Sequence, residues 1–132
     1  MKTRAMKQFG MFAVAGTIGY LVDVAVLLLC NLVMGPHIGR LVSFSAAVVT
    51  TWLINRRHTF STSGDASLRR EFSRYFTTSI GGGAVNLLSY SAVVNALDLS
   101  SVWLPFAVAF GSLSGMTVNF LLAKHFVFTY PK

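Results

Sequence analysis

Two stretches of the sequence put amide and cationic side chains within a helical turn or two of one another: Asn55-Arg56-Arg57-His58, and Asn119 followed by Lys124-His125. An arginine offers a planar fork to a phosphate and a neutral amide adds donors without charge, so phosphate binding is the chemistry these residue types suit. A third candidate is Asp23, an acid in the middle of an apolar run, where a carboxylate costs roughly 2.5–3.5 kcal/mol to insert and therefore needs a partner or water. Arg40, near the outer end of the second span, has two readings, a structural pair with Asp23 or a side chain snorkelling to the outer headgroups, and Asp23, Arg40 and Asn86 together form the candidate polar path inside the membrane. His37, His58 and His125 stand at the boundaries of apolar runs, where an interfacial role is a simpler reading than a proton relay. No nucleophile lies at usable spacing from a base, no carboxylates are paired, and no glycine-rich phosphate loop or zinc-ligand spacing is present. The expectation is a protein that is not an enzyme and uses no metal or cofactor.

These groups end long apolar stretches, and the stretches come in pairs. Ile54-Asn55-Arg56-Arg57-His58-Thr59-Phe60 recurs in degraded form as Leu122-Ala123-Lys124-His125-Phe126-Val127-Phe128, which aligns Thr51 with Asn119. Upstream, Lys7-Gln8-Phe9 with Phe12, Gly19 and Asp23 matches Arg70-Glu71-Phe72 with Tyr75, Gly82 and Asn86 at constant spacing. Each copy reads basic anchor, apolar span, short gap, apolar span, basic anchor. Two spans per copy is an even number, so both copies enter the membrane from the same side, as a parallel duplication of a two-helix unit.

With 54% hydrophobic and 11% charged positions in 132 residues, the chain is too apolar to clothe a soluble globule of its size. Four stretches are each near the roughly 20 residues needed to cross about 30 Å of hydrocarbon. The expected class is an all-α integral membrane protein forming a single domain, with helices over about 9–33, 38–56, 72–97 and 102–124 and a cytoplasmic loop over about 57–71. A net charge of +7 suggests nucleic acid in a soluble protein. Its placement argues otherwise: Lys2, Arg4 and Lys7 precede the first span, Arg56, Arg57, Arg69, Arg70 and Arg74 lie between the second and third, and Lys124 and Lys132 follow the fourth, with only Arg40 on the other side. The positive-inside rule then puts both termini and the middle loop in the cytoplasm. The first apolar run is too long for a signal-peptide core, and a single Cys30 excludes an internal disulfide.

Gly35-Pro36-His37 and Asp98-Leu99-Ser100-Ser101 read as short outer turns, with Trp103 at the interfacial level. Ser61–Ser67 is a polar linker. After it, Leu68, Phe72, Tyr75 and Phe76 share a helical stripe while Arg69, Arg70 and Arg74 lie largely off it, an amphipathic entry to the third helix. Ala107, Gly111 and Gly115, and likewise Ala15 and Gly19, form small-residue faces suited to helix packing. For Gly81-Gly82-Gly83 two readings stand: a kink or ligand-facing notch, or space for a tightly crossing neighbour.

The opening Lys7-x-Phe9-x-x-Phe12-x-x-x-Gly16-x-x-Gly19-x-x-x-Asp23, the Asn55–Phe60 segment, and Asn119-Phe120-Leu121-Leu122-x-Lys124-x-Phe126-x-Phe128 together resemble the GtrA-like small membrane proteins. The likeness covers nearly the whole chain. It implies a bacterial cytoplasmic-membrane protein that flips a polyprenyl-phosphate-linked sugar between leaflets for glycosylation of cell-surface polysaccharide. Asn55, Arg56 and Lys124 match the family's amide and basic positions, whereas Ala123 stands where an Asn is expected, which leaves Asn55-Arg56-Arg57 as the better site. Inner basic residues would collect the phosphate, and Asp23, Asn86 and Ser89 would offer polar partners deeper in. Four short helices hardly enclose a sugar, so a homo-oligomer, most simply a dimer, is expected among membrane lipids. Two other functions fit the same residues: a proton-coupled small multidrug-type exporter built on Asp23, and a non-transporting anchor for a membrane glycosyltransferase.

Overall fold

The computed structural model describes residues 2–60, 67–98 and 103–129. Most of the polar linker (Ser61–Ala66), Leu99–Ser101 of the second outer turn, Val102 and Lys132 lie outside the described residues. Among those described there are only helices and turns, and four helices are long and apolar enough to cross a membrane. They are α1 (Lys2–Gly35), α2 (His37–Thr59), α3 (Leu68–Leu97) and α4 (Leu104–Leu122, extended by a π-helical turn Ala123–Val127). A helix satisfies its own backbone polar groups, which is why long apolar runs adopt it in hydrocarbon. At 34 residues α1 is about 50 Å long, more than the hydrocarbon needs, so the surplus carries Lys2, Arg4 and Lys7 beyond it.

A helical run from Lys2 to Ile54 is broken once, at Gly35, where φ is 78° and ψ 171°. That region is open in practice to glycine alone, so the position of this glycine decides where α1 ends and α2 begins. Asp98 closes α3 with φ 44°, the left-handed conformation that Asp tolerates better than most residues.

The chain divides into two compact units, one running through Phe72 and one over Ser73–Thr129. In the first, Phe12, Ala15 and Gly19 of α1 form a buried stripe, as do Val48 and Asn55 of α2. A methyl group on Gly19 would run into the Thr51 side chain, so the close approach of the two helices depends on it. In the second unit, Tyr75, Thr78 and Gly82 of α3 and Ala107, Gly111, Gly115 and Phe120 of α4 are buried. A Cβ on Gly82 would lie 2.7 Å from Asn119 Cβ, and one on Gly115 2.6 Å from the Gly82 carbonyl oxygen. The glycine triplet is therefore, at Gly82, the site of a tight crossing, and α3 stays helical through it.

Small residues share the inside with a few aromatics, and most large aliphatic side chains are outside: Ala15, Ala107 and Ala123 are fully buried, while Leu32 is 82% and Leu88 69% exposed. This inverts a soluble core and suits a surface covered by lipid tails, where helices associate through close packing of small side chains.

The second helix of each unit ends in the same way. Asn55–Thr59 and Ala123–Val127 are π-helical turns, closed by bonds of 2.9 Å from Phe60 N–H to the Asn55 carbonyl and from Phe128 N–H to the Ala123 carbonyl. Each wide turn sends an aromatic back into its own unit. Phe60 meets Phe12 edge-on at 6.3 Å, and Phe128 meets Tyr75 edge-on at 6.0 Å.

The entry to α3 differs from the stripe expected in the sequence. Leu68 is exposed, Phe72 and Phe76 are half-buried, and the buried positions are Glu71, Tyr75 and Thr78. The face rotates because Glu71 has hydrogen-bond donors waiting for it, which offsets the cost of burying a carboxylate.

Candidate functional site

The π-turn at the end of α2 carries the first group of candidate residues. Asn55 is 1% exposed, and its Oδ1 accepts a hydrogen bond from the Thr59 hydroxyl at 2.8 Å, so it braces the turn from within. Arg56 is partly exposed, and its Nε donates to Glu71 Oε1 at 2.9 Å. The same carboxylate oxygen accepts from the Trp52 indole N–H at 2.9 Å. Trp52 is in turn set edge-on against Phe72, 5.1 Å between ring centres. Trp52 and Arg56 are four apart on one helical face, so a single acid reaches both. The Arg56 contact runs through Nε, which leaves the two terminal nitrogens outside it; those are the pair that binds a phosphate in bidentate fashion. Arg57 and His58 follow, both exposed.

Glu71 was not among the residues singled out in the sequence. Its side chain is wholly buried, and its Oε2 has no hydrogen-bond partner among the described residues. A buried acceptor left open beside an oriented guanidinium is a place for a donor to arrive. One signal pointed to it: with four acids in the chain, an acid among Arg69, Arg70 and Arg74 at the mouth of an apolar span is unusual.

Asp23 is paired. Arg40 Nη1 donates to Oδ1 at 2.8 Å and to Oδ2 at 2.6 Å, bridging α1 and α2 on either side of the Gly35 break. The Asp23 side chain is 16% exposed and that of Arg40 56%.

The second unit holds the remaining candidates. Asn119 is half-buried against Gly82, and its Oδ1 is also without a hydrogen-bond partner among the described residues. Lys124 Nζ lies 5.7 Å above the centre of the Phe120 ring, a cation–π contact one turn back along α4. His125 is exposed on the outer side of the π-turn. Asn86 packs at Gly111 and Gly115 and borders a cavity of about 300 Å³ with Gly83 and Tyr90. The candidate residues thus fall into two sets, Asn55, Arg56 and Arg57 in one unit and Asn119, Lys124 and His125 in the other.

Each unit has an opening beside its π-turn. In the first, Arg4, Lys7, Gln8 and His58 border a cavity of about 230 Å³. In the second, Arg74 and His125 border a groove of about 610 Å³. Among the described residues no group of three or more His, Cys, Asp or Glu side chains is placed to hold a metal ion.

No curated protein and no solved structure was found to match the chain. A family does match, over residues 11–128, and its description is "GtrA/DPMS, transmembrane domain". With four apolar helices, faces of small residues at the crossings and that match over most of its length, this multi-pass membrane protein belongs to the GtrA/DPMS transmembrane-domain family.

Proposed function

We propose that the protein moves a polyprenyl-phosphate-linked sugar across the bacterial cytoplasmic membrane, from the inner to the outer leaflet, for glycosylation of cell-surface polysaccharide. The observation that carries this reading is the Trp52–Glu71–Arg56 arrangement, in which a buried acid fixes Arg56 by Nε and leaves its terminal nitrogens for an anion. Arg57 adds charge beside it, and Asn55 holds the turn on which both stand. In the second unit Lys124 and His125 stand on the corresponding turn, with Asn119 about one helical turn before it. Positive residues near an anionic surface each contribute about 1 kcal/mol of attraction to phosphate-bearing lipid.

The distribution of Lys and Arg supports a topology with both termini and the 57–71 segment in the cytoplasm. A parallel duplication is supported by matching features at matching positions: Phe12 and Tyr75 receive the returning Phe60 and Phe128, and Gly19 and Gly82 face Thr51 and Asn119. The abundance of exposed large apolar side chains is consistent with a homo-oligomer, most simply a dimer, embedded in lipid. The Asp23–Arg40 pair weighs against a proton-coupled exporter, which needs an acid free to load and release a proton.

The test is leaflet accessibility of polyprenyl-phosphate-sugar in proteoliposomes, with Arg56→Ala and Arg57→Ala beside the parent. Movement in the parent that falls with Arg56→Ala is expected. Lipid that stays in its original leaflet with the parent protein present would instead indicate an anchor for a membrane glycosyltransferase.

A further inference from the structure

The openings beside the two π-turns differ in what they offer. The cavity of the first unit gathers Arg4, Lys7, Gln8 and His58, and the one hydroxyl on its wall, that of Thr59, is buried and turned to Asn55. It offers charge and one amide in about 230 Å³, below the volume of most small-molecule sites. The groove of the second unit, at about 610 Å³, is within the 300–1,000 Å³ range of small-molecule sites. It is lined along α3 by Arg74 with the hydroxyl-bearing Ser73 and Thr77, and along the end of α4 by His125 with the apolar Leu122 and Phe126. Arg74 Nη1 approaches the Phe126 carbonyl at 3.4 Å, which keeps the guanidinium beside the turn that carries His125. Thr77 donates its hydroxyl to the Ser73 carbonyl at 3.0 Å, so its oxygen lone pairs face outward as acceptors.

We propose that this groove binds a phosphosugar, with the phosphate against Arg74 and His125 and the sugar hydroxyls along Ser73 and Thr77. The inference rests on the lipid-linked-sugar reading above and gives the headgroup a second place besides Arg56, in the other unit. Arg74 supplies paired donors to phosphate oxygens, and the histidine N–H adds a donor in either protonation state. Ser73 and Thr77 accept from hydroxyls that a bare phosphate lacks. Phe126, 62% exposed, provides a flat apolar wall for a sugar face or the first isoprene unit.

The experiment is binding to the purified full chain in detergent, titrated separately with farnesyl phosphate, farnesyl phosphohexose and hexose 1-phosphate. The parent is expected to prefer farnesyl phosphohexose over farnesyl phosphate by about tenfold, since a site built for hydroxyls discriminates against ligands without them. Thr77→Val, which keeps the side chain's shape, should bring that preference below roughly threefold while leaving farnesyl phosphate binding unchanged. Arg74→Gln should weaken both lipid ligands by about tenfold. Equal binding of hexose 1-phosphate and farnesyl phosphohexose would keep the phosphosugar site and identify its ligand as soluble. A parent without preference, or a Thr77→Val protein that retains it, overturns the assignment, provided its melting temperature matches the parent's. Binding in detergent requires no transit: a parent that binds selectively but leaves lipid in place overturns the translocase reading alone, and one that moves lipid without selective binding overturns the groove alone.

Discussion

Glu71 ties the basic boundary of α2 to the start of α3 through one oxygen atom, with Trp52 and Arg56 as its donors. Replacing it by Ala leaves the indole N–H without an acceptor and frees a guanidinium that is itself only partly exposed, a loss of about 1–3 kcal/mol. Glu71→Gln keeps an oxygen in place for both donors while losing the charge and turning the open Oε2 acceptor into an amide donor, so a smaller cost of about 1 kcal/mol follows. Thermal melting in detergent micelles should rank the parent, Glu71→Gln and Glu71→Ala in descending order. If orientation of Arg56 is what matters for transport, Glu71→Gln should retain most of the leaflet movement and Glu71→Ala should lose it; equal loss in both would mean that the charge of Glu71 itself is needed. The sequence drew attention to Arg56 because amide and cation stand side by side in the chain. Glu71 escaped because its partners are 15 and 19 residues away across a linker, and because an acid flanked by arginines reads as a neutral spot in an anchor.

At the level of elements, the small-residue faces were legible because a missing side chain in an apolar helix has few uses other than close approach. What the sequence left open, the role of the glycine triplet, is answered differently at adjacent positions. A Cβ on Gly82 meets Asn119 and the Gly115 carbonyl, so Gly82→Ala must push α3 and α4 apart at a cost of about 1–3 kcal/mol. A Cβ on Gly83 meets nothing within 4 Å, so Gly83→Ala should raise stability by up to about 1 kcal/mol through helix propensity. Opposite shifts in melting temperature for two neighbouring Gly→Ala changes check this; shifts of the same sign would mean that the crossing is not where the backbone puts it. At Gly35 the cause is conformational: Gly35→Ala forces a side chain into φ 78°, and about 1–3 kcal/mol of stability should be lost although nothing crowds the position. The π-turns had no signature in the sequence, since a π-helical turn uses the same residues as an α-helical one. In each, the widened last turn is followed by a phenylalanine set against a buried aromatic of its own unit, Phe60 on Phe12 and Phe128 on Tyr75.

For the molecule as a whole, charge placement and composition determine most of what a membrane does to this chain. Four spans alternate direction, so one orientation fixes every other segment. The cytoplasmic side is argued from ten of the eleven Lys and Arg residues, leaving Arg40, which is engaged by Asp23. In the proposed orientation that pair neutralises the one cation on the opposite side, which strengthens the charge asymmetry. That orientation makes a concrete demand on labelling. In a Cys30→Ser background, which removes the chain's single thiol, His37→Cys and Ser67→Cys place new thiols at two exposed positions, one at the turn between α1 and α2 and one before α3. A membrane-impermeant maleimide added to intact cells should modify the thiol at position 37 and leave that at position 67 untouched until the membrane is opened. Asp23→Ala should leave the pattern as it is, because the inner cations outnumber Arg40 whether or not it is paired. The reverse pattern, or labelling of both thiols in intact cells, would overturn the single cytoplasmic orientation and with it the placement of Arg56, Arg57, Lys124 and His125 at the leaflet where the lipid-linked sugar is first met.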